Sequence, residues 1–178
     1  MKHGVTYTEF DAINVPQIEQ YLLESIAGKT SPQMLNIGNE YGSVEEEFLT
    51  LQKRFKYNAM EYSPTPYREG NVYYDDVTTC EGIPDNSFDF VFATNVLEHV
   101  KTPWTATKEL ARITTVGGII VIIAPFKWRY HAMPDDFWRF TPTGLNFLFE
   151  DTSTVTLAMG WYAPRVEVAS IWIGQKQA

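Results

Sequence analysis

The sequence predicts a doubly wound α/β fold with a mostly parallel sheet, and three observations carry that prediction. Short apolar stretches alternate with amphipathic helical ones along most of the chain, the pattern of right-handed βαβ units. The run Ile119 to Ala124 is apolar at every position, as a strand buried on both faces requires. Glycines follow directly on the first predicted strand, at the end where sheets of this type bind ligands.

Each element has its own warrant. Residues 14–28 set Ile18, Tyr21, Leu22, Ser25 and Ile26 on one helical stripe, closed by Gly28. Met34 to Ile37 is a first strand running into Gly38. From Ser43, placed as N-cap, Val44, Phe48, Leu51 and Phe55 recur at helical spacing, and Glu45, Glu46 and Glu47 suit the first turn. Tyr57 to Glu61 reads as the second strand, stopped by Ser63-Pro64 and Pro66, and Asn71 to Tyr74 as the third. Phe88 to Thr94 is the fourth, after the Pro84-Asp85-Asn86 turn. Helical pattern returns over 96–100 and 105–113, and Gly117-Gly118 precede the fifth strand at 119–124. Thr141 to Phe149 reads as a helix. Thr154–Met159 and Val166–Ile173 are the last two strands, with a turn at 161–164. That link is too short for a parallel crossover, so an antiparallel C-terminal hairpin is expected. The sheet then has seven strands, trimmed between the second and third, where two prolines leave no room for a helix.

Composition narrows the function classes. The chain has 178 residues, one domain's worth, with residues 1–32 expected to form a helical lid segment. Net charge is −8 and no Lys/Arg-rich run occurs, which argues against a nucleic-acid partner. Cys80 is the single cysteine, so an internal disulfide is excluded and a plain loop or edge cysteine is expected. Met1 to Phe10 lacks the charged-then-apolar pattern of a secretion signal, and the longest apolar run is too short to span a bilayer. The expectation is a cytoplasmic protein without a membrane partner. Aromatic residues are 15% of the chain and concentrate in 126–149 and 161–172. They predict an aromatic rim at one end, compatible with a monomer or a homodimer.

The chemistry-bearing positions lie at predicted strand ends. The loop Gly38-Asn39-Glu40-Tyr41-Gly42-Ser43 reads either as two turn glycines or as a close approach of backbone to ligand. Glu40 inside it suits an ammonium or sulfonium cation better than a pyrophosphate. Glu61 ends the second strand, roughly twenty residues on, where an acid can accept both hydrogen bonds of a ribose diol. Asp75 and Asp76 end the third strand, within reach of an adenine amine. Singly, each acid reads better as a surface cap or turn residue. Three acids at successive strand ends point to a nucleoside.

The stretch Asp76 to Pro125 contains IPDNSFDFV, the helix start VLEHV, KELARI and the Gly-Gly before the fifth strand. It resembles the central block of class I S-adenosylmethionine-dependent methyltransferases, which are Rossmann-like. It is similar to the branch that includes the ubiquinone/menaquinone methyltransferases. The segment HAMPDDFWRFTPTGL, His131 to Leu145, resembles one that follows the fifth strand in bacterial members. The resemblance covers residues 33–150 and implies S-adenosylmethionine as cofactor. It places Gly38 and Gly42 under the methionine part, Glu61 at the ribose, Asp76 and Val77 at the adenine, and Thr94 and Asn95 below the sulfonium. The chain departs from the family at Asn36, where an acid is usual, at Glu40, where glycine is usual, and at Val116, where proline is usual. Glu40 is expected to replace the acid missing at Asn36.

Methyl transfer needs positioning and, for a protonated acceptor, a base. His131 and His99 are the candidate bases, and no metal-ligand set is expected. Tyr130, Asp135, Asp136, Trp138 and Arg139, with Phe137, either line the acceptor site or form an aromatic lid with Arg139 paired to one aspartate. The acceptor class expected is a small molecule, a sugar or a glycan end. A non-catalytic scaffold that keeps the fold is the competing reading, resting on the altered first loop. A nicotinamide oxidoreductase fits poorly, because G-x-G-x-x-G is lacking.

Overall fold

Asn14 opens the first helix by a reciprocal cap. Its side chain accepts from the Gln17 N–H, the Gln17 side chain accepts from the Asn14 N–H, and a proline sits in the first turn. The structure, a computed structural model, describes residues 10–38, 53–163 and 168–178. The helix predicted from Ser43, including Glu45 to Glu47, therefore lies outside the described residues apart from its end near Phe55, and so do Glu40 and Gly42.

In chain order the elements are β1 (Ala12–Ile13), α1 (Val15–Ser25), β2 (Gln33–Ile37), β3 (Lys56–Tyr62), β4 (Tyr67–Glu69), β5 (Val72–Asp75) and β6 (Phe88–Thr94). A short 3-10 turn (Leu97–His99) leads to α2 (Pro103–Ile113), β7 (Thr114–Pro125), α3 (Pro142–Leu148), β8 (Thr154–Tyr162) and β9 (Ala169–Lys176). The strands form one sheet in the order β1-β8-β9-β7-β6-β2-β3-β5-β4. From β7 through β6, β2 and β3 to β5 all neighbours are parallel, while β9 runs antiparallel to both β7 and β8. The chain winds outward in both directions from β2 and β6, so the switch point falls between their carboxyl ends.

Strand alternation gives each face its own core. Leu35, Ile37, Val91, Ala93, Ile120 and Ile122 pack with Ala106, Leu110 and Leu145 of α2 and α3. Met34, Phe90, Phe92, Ile119, Val121 and Ile123 pack with Ile18 and Leu22 of α1. The uninterrupted apolar run in β7 is the consequence of this double burial.

The predicted mixed sheet with its antiparallel hairpin is the observed one, with nine strands among the described residues rather than seven. The two additions are edge strands. The segment after Pro66 folds back as β4 on β5, and Ala12–Ile13 pairs with Trp161–Tyr162 of β8. That pairing carries β8 on to Tyr162, into the start of the turn predicted at 161–164. Gly117-Gly118 do not precede the fifth strand but lie inside it. Phe88 pairs with Thr114 and Phe90 with Ile119, so the glycines occupy a bulge. The helical pattern at 96–100 yields only the 3-10 turn, because the chain must turn at once to enter α2 at Pro103. No helix among the described residues is long and apolar enough to cross a membrane.

Asp89 ties the amino end of the sheet together. It pairs with Lys29 and accepts from the Gln33 N–H at 2.8 Å and the Thr115 hydroxyl at 3.2 Å. Burial alone would raise its carboxyl. The bonds from Lys29 and Gln33 outweigh burial and hold it below the ordinary aspartate range. A lowered carboxylate pKa gives stability that is present above the unfolded value, about 3.9, and lost as pH falls through the folded one. Asp89→Asn is expected to cost about 1–3 kcal/mol at pH 7. In urea denaturation the gap to the parent protein should narrow below pH 3.9.

Candidate functional site

The carboxyl ends of β6, β2, β3 and β5 form one continuous rim, because the four strands are parallel neighbours. Gly38 follows β2 with φ +83, and a Cβ there would come 2.7 Å from the Val96 side chain. The position therefore needs glycine both for its backbone angle and for the close approach of the β6 end. Asn95 follows β6 with φ 54, a left-handed turn that drops the chain off the sheet. Thr94 is buried beside it, and its hydroxyl has no hydrogen-bond partner among the described residues.

The acids of the rim differ in role. Glu61 is half-buried near the end of β3, opposite Tyr74 of β5. Asp75 is buried, and its two oxygens accept from the backbone N–H groups of Asp76 and Gly82, each at 2.8 Å. It staples the loop after β5. Asp76 accepts from the Thr78 N–H at 2.8 Å and its hydroxyl at 2.7 Å through one oxygen, Oδ1. The Val77 side chain is in the core, so only its backbone can meet a ligand. Asn36 is buried on the α1 side of β2 and donates to the Tyr57 hydroxyl at 3.2 Å. Cys80 is buried in the loop after β5, and burial pushes its thiol up to about 12, which disables it as a nucleophile.

A second group of residues lies beyond the 3-10 turn. The Glu98 carbonyl accepts from the N–H groups of Phe137 and Trp138, at 2.7 and 3.3 Å, and the Trp138 indole donates to the Val100 carbonyl at 2.9 Å. These bonds dock the 126–140 loop onto the turn after β6. Docking brings His99 and His131 together, with ring centroids 4.9 Å apart. Arg139 donates two bonds to Asp136, at 2.5 and 2.7 Å, and others to the carbonyls of Trp128 and Arg129. The hydrogen bonds from Arg139 hold the Asp136 carboxyl far below the usual carboxylate range. Of the residues predicted to line an acceptor site, Asp136 and Arg139 are thus committed to each other. Asp135 lends its backbone carbonyl to His99 Nδ1. Tyr130 is 71% exposed and Trp138 37%, and Phe126, Trp128 and Phe137 are exposed too, whereas Phe140, Phe149, Tyr162 and Trp172 of the predicted rim are buried in the core.

Glu98 is the residue that sequence reasoning passed over. Its side chain is 0% exposed and burial pushes its carboxyl up to about 8. Its place in the 3-10 turn after β6, next to His99, is visible in the sequence, but its burial and the approach of His131 are not.

A family model described as a methyltransferase domain matches residues 12–122. No curated protein sequence matches the chain. Among solved structures, the CurJ carbon methyltransferase superposes with a TM-score of 0.66 at 15% identity, over 91% of this chain and 53% of its own. This chain thus spans about half of that protein's length. The CalH trans-methyltransferase in complex with S-adenosylhomocysteine gives 0.65 at 15%, over 88% of this chain and 54% of its own. An S-adenosylmethionine-dependent methyltransferase from Aquifex aeolicus gives 0.60 at 17% identity, with 89% and 88% covered. The family match spans well over half of the residues and the neighbours share the sheet, so the chain belongs to the methyltransferase domain family.

Proposed function

We propose that this protein transfers the methyl group of S-adenosylmethionine to a small-molecule or sugar-like acceptor. The observation that carries the reading is the polar rim of the sheet, where Gly38, Glu61, Asp76, Thr94 and Asn95 stand at the ends of four adjacent strands. These residues fit the cofactor. The Thr94 hydroxyl is a buried polar atom in want of a partner, and Glu61 stands at a strand end where a ribose diol can be bound. When bound, S-adenosylmethionine supplies a methyl carbon already activated by its positive sulfur.

The chain's own part is positioning. Glu61 would accept from the ribose hydroxyls, Asp76 and the Val77 backbone would hold the adenine, and Thr94 and Asn95 would line the floor. His131 and His99 are the groups on the loop side able to take a proton from an acceptor. Tyr130, Trp138 and Phe137 offer aromatic faces that can cover a ring or a sugar. The scaffold reading rests on the changes at Asn36 and Glu40; Asn36 is buried and donates to Tyr57, and Glu40 lies outside the described residues. The test is incubation with methyl-labelled cofactor and a panel of small hydroxylated, amine and saccharide acceptors. Label is expected in a panel member, and less of it with Glu61→Ala. Label transferred instead to protein or RNA would contradict the acceptor class.

A further inference from the structure

Both oxygens of the buried Glu98 carboxylate lack a hydrogen-bond partner among the described residues. Its Oε1 stands 3.8 Å from Nε2 of His99 and 3.8 Å from Nε2 of His131, beyond hydrogen-bond reach in both cases. The imidazole tautomers follow from the other ring nitrogens. A backbone carbonyl only accepts, and His99 Nδ1 meets that of Asp135. His131 Nδ1 lies 3.2 Å from the Arg129 carbonyl and 3.2 Å from Asp136 Oδ2. An accepting oxygen at each Nδ1 favours a proton there, and the Nδ1–H tautomer offers its Nε2 lone pair on the side of Glu98. Three atoms of metal-ligand type lie within 4.8 Å of one another, and the carboxyl among them is buried without a hydrogen-bond partner among the described residues, an arrangement that a cation would satisfy.

We propose that Glu98, His99 and His131 form a binding site for a divalent first-row transition-metal ion, for which zinc is the probe. Two imidazoles and a carboxylate are the donor types such ions take. Each histidine also has its second nitrogen fixed by an oxygen acceptor, the outer arrangement that orients metal-bound imidazoles. In a tetrahedral zinc site, bonds of about 2.0–2.1 Å put ligand atoms about 3.4 Å apart. The two 3.8 Å separations, and the distance between the two histidine nitrogens, which is within 4.8 Å, would have to close to that value by rotation of the two partly exposed rings. Asp136 is not a fourth ligand, because Arg139 holds both of its oxygens. Three protein ligands leave a coordination position open to an exogenous oxygen, such as an acceptor hydroxyl. Ligation uses the same Nε2 lone pairs as proton abstraction, so a bound ion assigns both histidines to positioning. The site joins the turn after β6 to the loop after β7, and the ion would clamp that docking.

The proposal does not depend on the cofactor, so its test omits it. Chelator-treated protein is titrated with zinc chloride in a calorimeter, and cobalt(II) is added separately to read ligand-field absorption. Saturable one-to-one binding is expected, with visible bands from bound cobalt. Glu98→Gln and His131→Asn should each weaken zinc binding at least about 100-fold, beyond the usual cost of losing an outer-shell partner. Glu98→Gln keeps the size of the side chain and breaks no hydrogen bond among the described residues, so the metal-free variant should melt close to the parent, separating lost ligation from lost folding. No one-to-one site in the parent protein, or unchanged affinity in both variants, would overturn the proposal. Either result leaves S-adenosylmethionine binding to be judged on its own.

Discussion

Glu61→Ala is expected to weaken S-adenosylmethionine binding by about 10- to 100-fold, the worth of charge-assisted hydrogen bonds at 1.5–3 kcal/mol. A carboxylate accepting both ribose hydroxyls loses those bonds entirely on truncation, and neither acid at the end of β5 is placed to take them over. Asp75 is spent on the backbone of its own loop, and Asp76 holds the turn at Thr78. Glu61→Gln should fall between, because an amide oxygen still accepts but without charge. The change lies near the end of β3 at a half-buried position, so folding should be little affected. Calorimetric titration of both variants checks the affinity, and circular dichroism checks the fold. Unchanged affinity in Glu61→Ala would remove this residue from the cofactor site.

Trp172→Ala is expected to cost about 3–5 kcal/mol of folding stability, a large share of the 5–15 kcal/mol that holds a domain of this size together. The indole is fully buried in β9 and stacks on Phe149, with centroids 3.7 Å apart. Its N–H donates to Asn146 at 3.2 Å and Thr156 at 3.1 Å, so one side chain joins α3, β8 and β9. Gly174 has no side chain because a Cβ there would come 2.1 Å from the indole ring. That fit leaves nothing nearby to fill the void. Trp172→Phe keeps a ring against Phe149 and loses the N–H, and should cost less. Urea denaturation measures both. A loss below 1 kcal/mol for the alanine variant would show that the C-terminal hairpin is not a cooperative part of the core.

The parts of the fold that were legible in the sequence are those with strong periodicity. β7 announces itself because burial on both faces leaves 119–124 without a polar position, β6 because its phenylalanines and valine follow the Pro84-Asp85-Asn86 turn, and α1 because its apolar stripe ends at Gly28. The edge strands were not legible. β4 and β1 are two or three residues long, and their pairing is decided by partners remote in sequence. The rim of the site could be read because its residues follow strand ends directly. Glu98 could not be weighed that way. Its importance arises only when the 126–140 loop docks and brings His131 to it, a tertiary event with no local signature. The pairing of Asp136 with Arg139 was one of two readings the sequence allowed, and geometry shows how completely each is engaged by the other.

The central claim is that the polar rim of this sheet holds S-adenosylmethionine, and the most direct measurement is calorimetric titration of the purified protein with that cofactor and with S-adenosylhomocysteine. The account predicts saturable one-to-one binding of both. No binding heat and no thermal stabilisation at millimolar ligand would contradict it, and would leave a methyltransferase fold without the chemistry of its family.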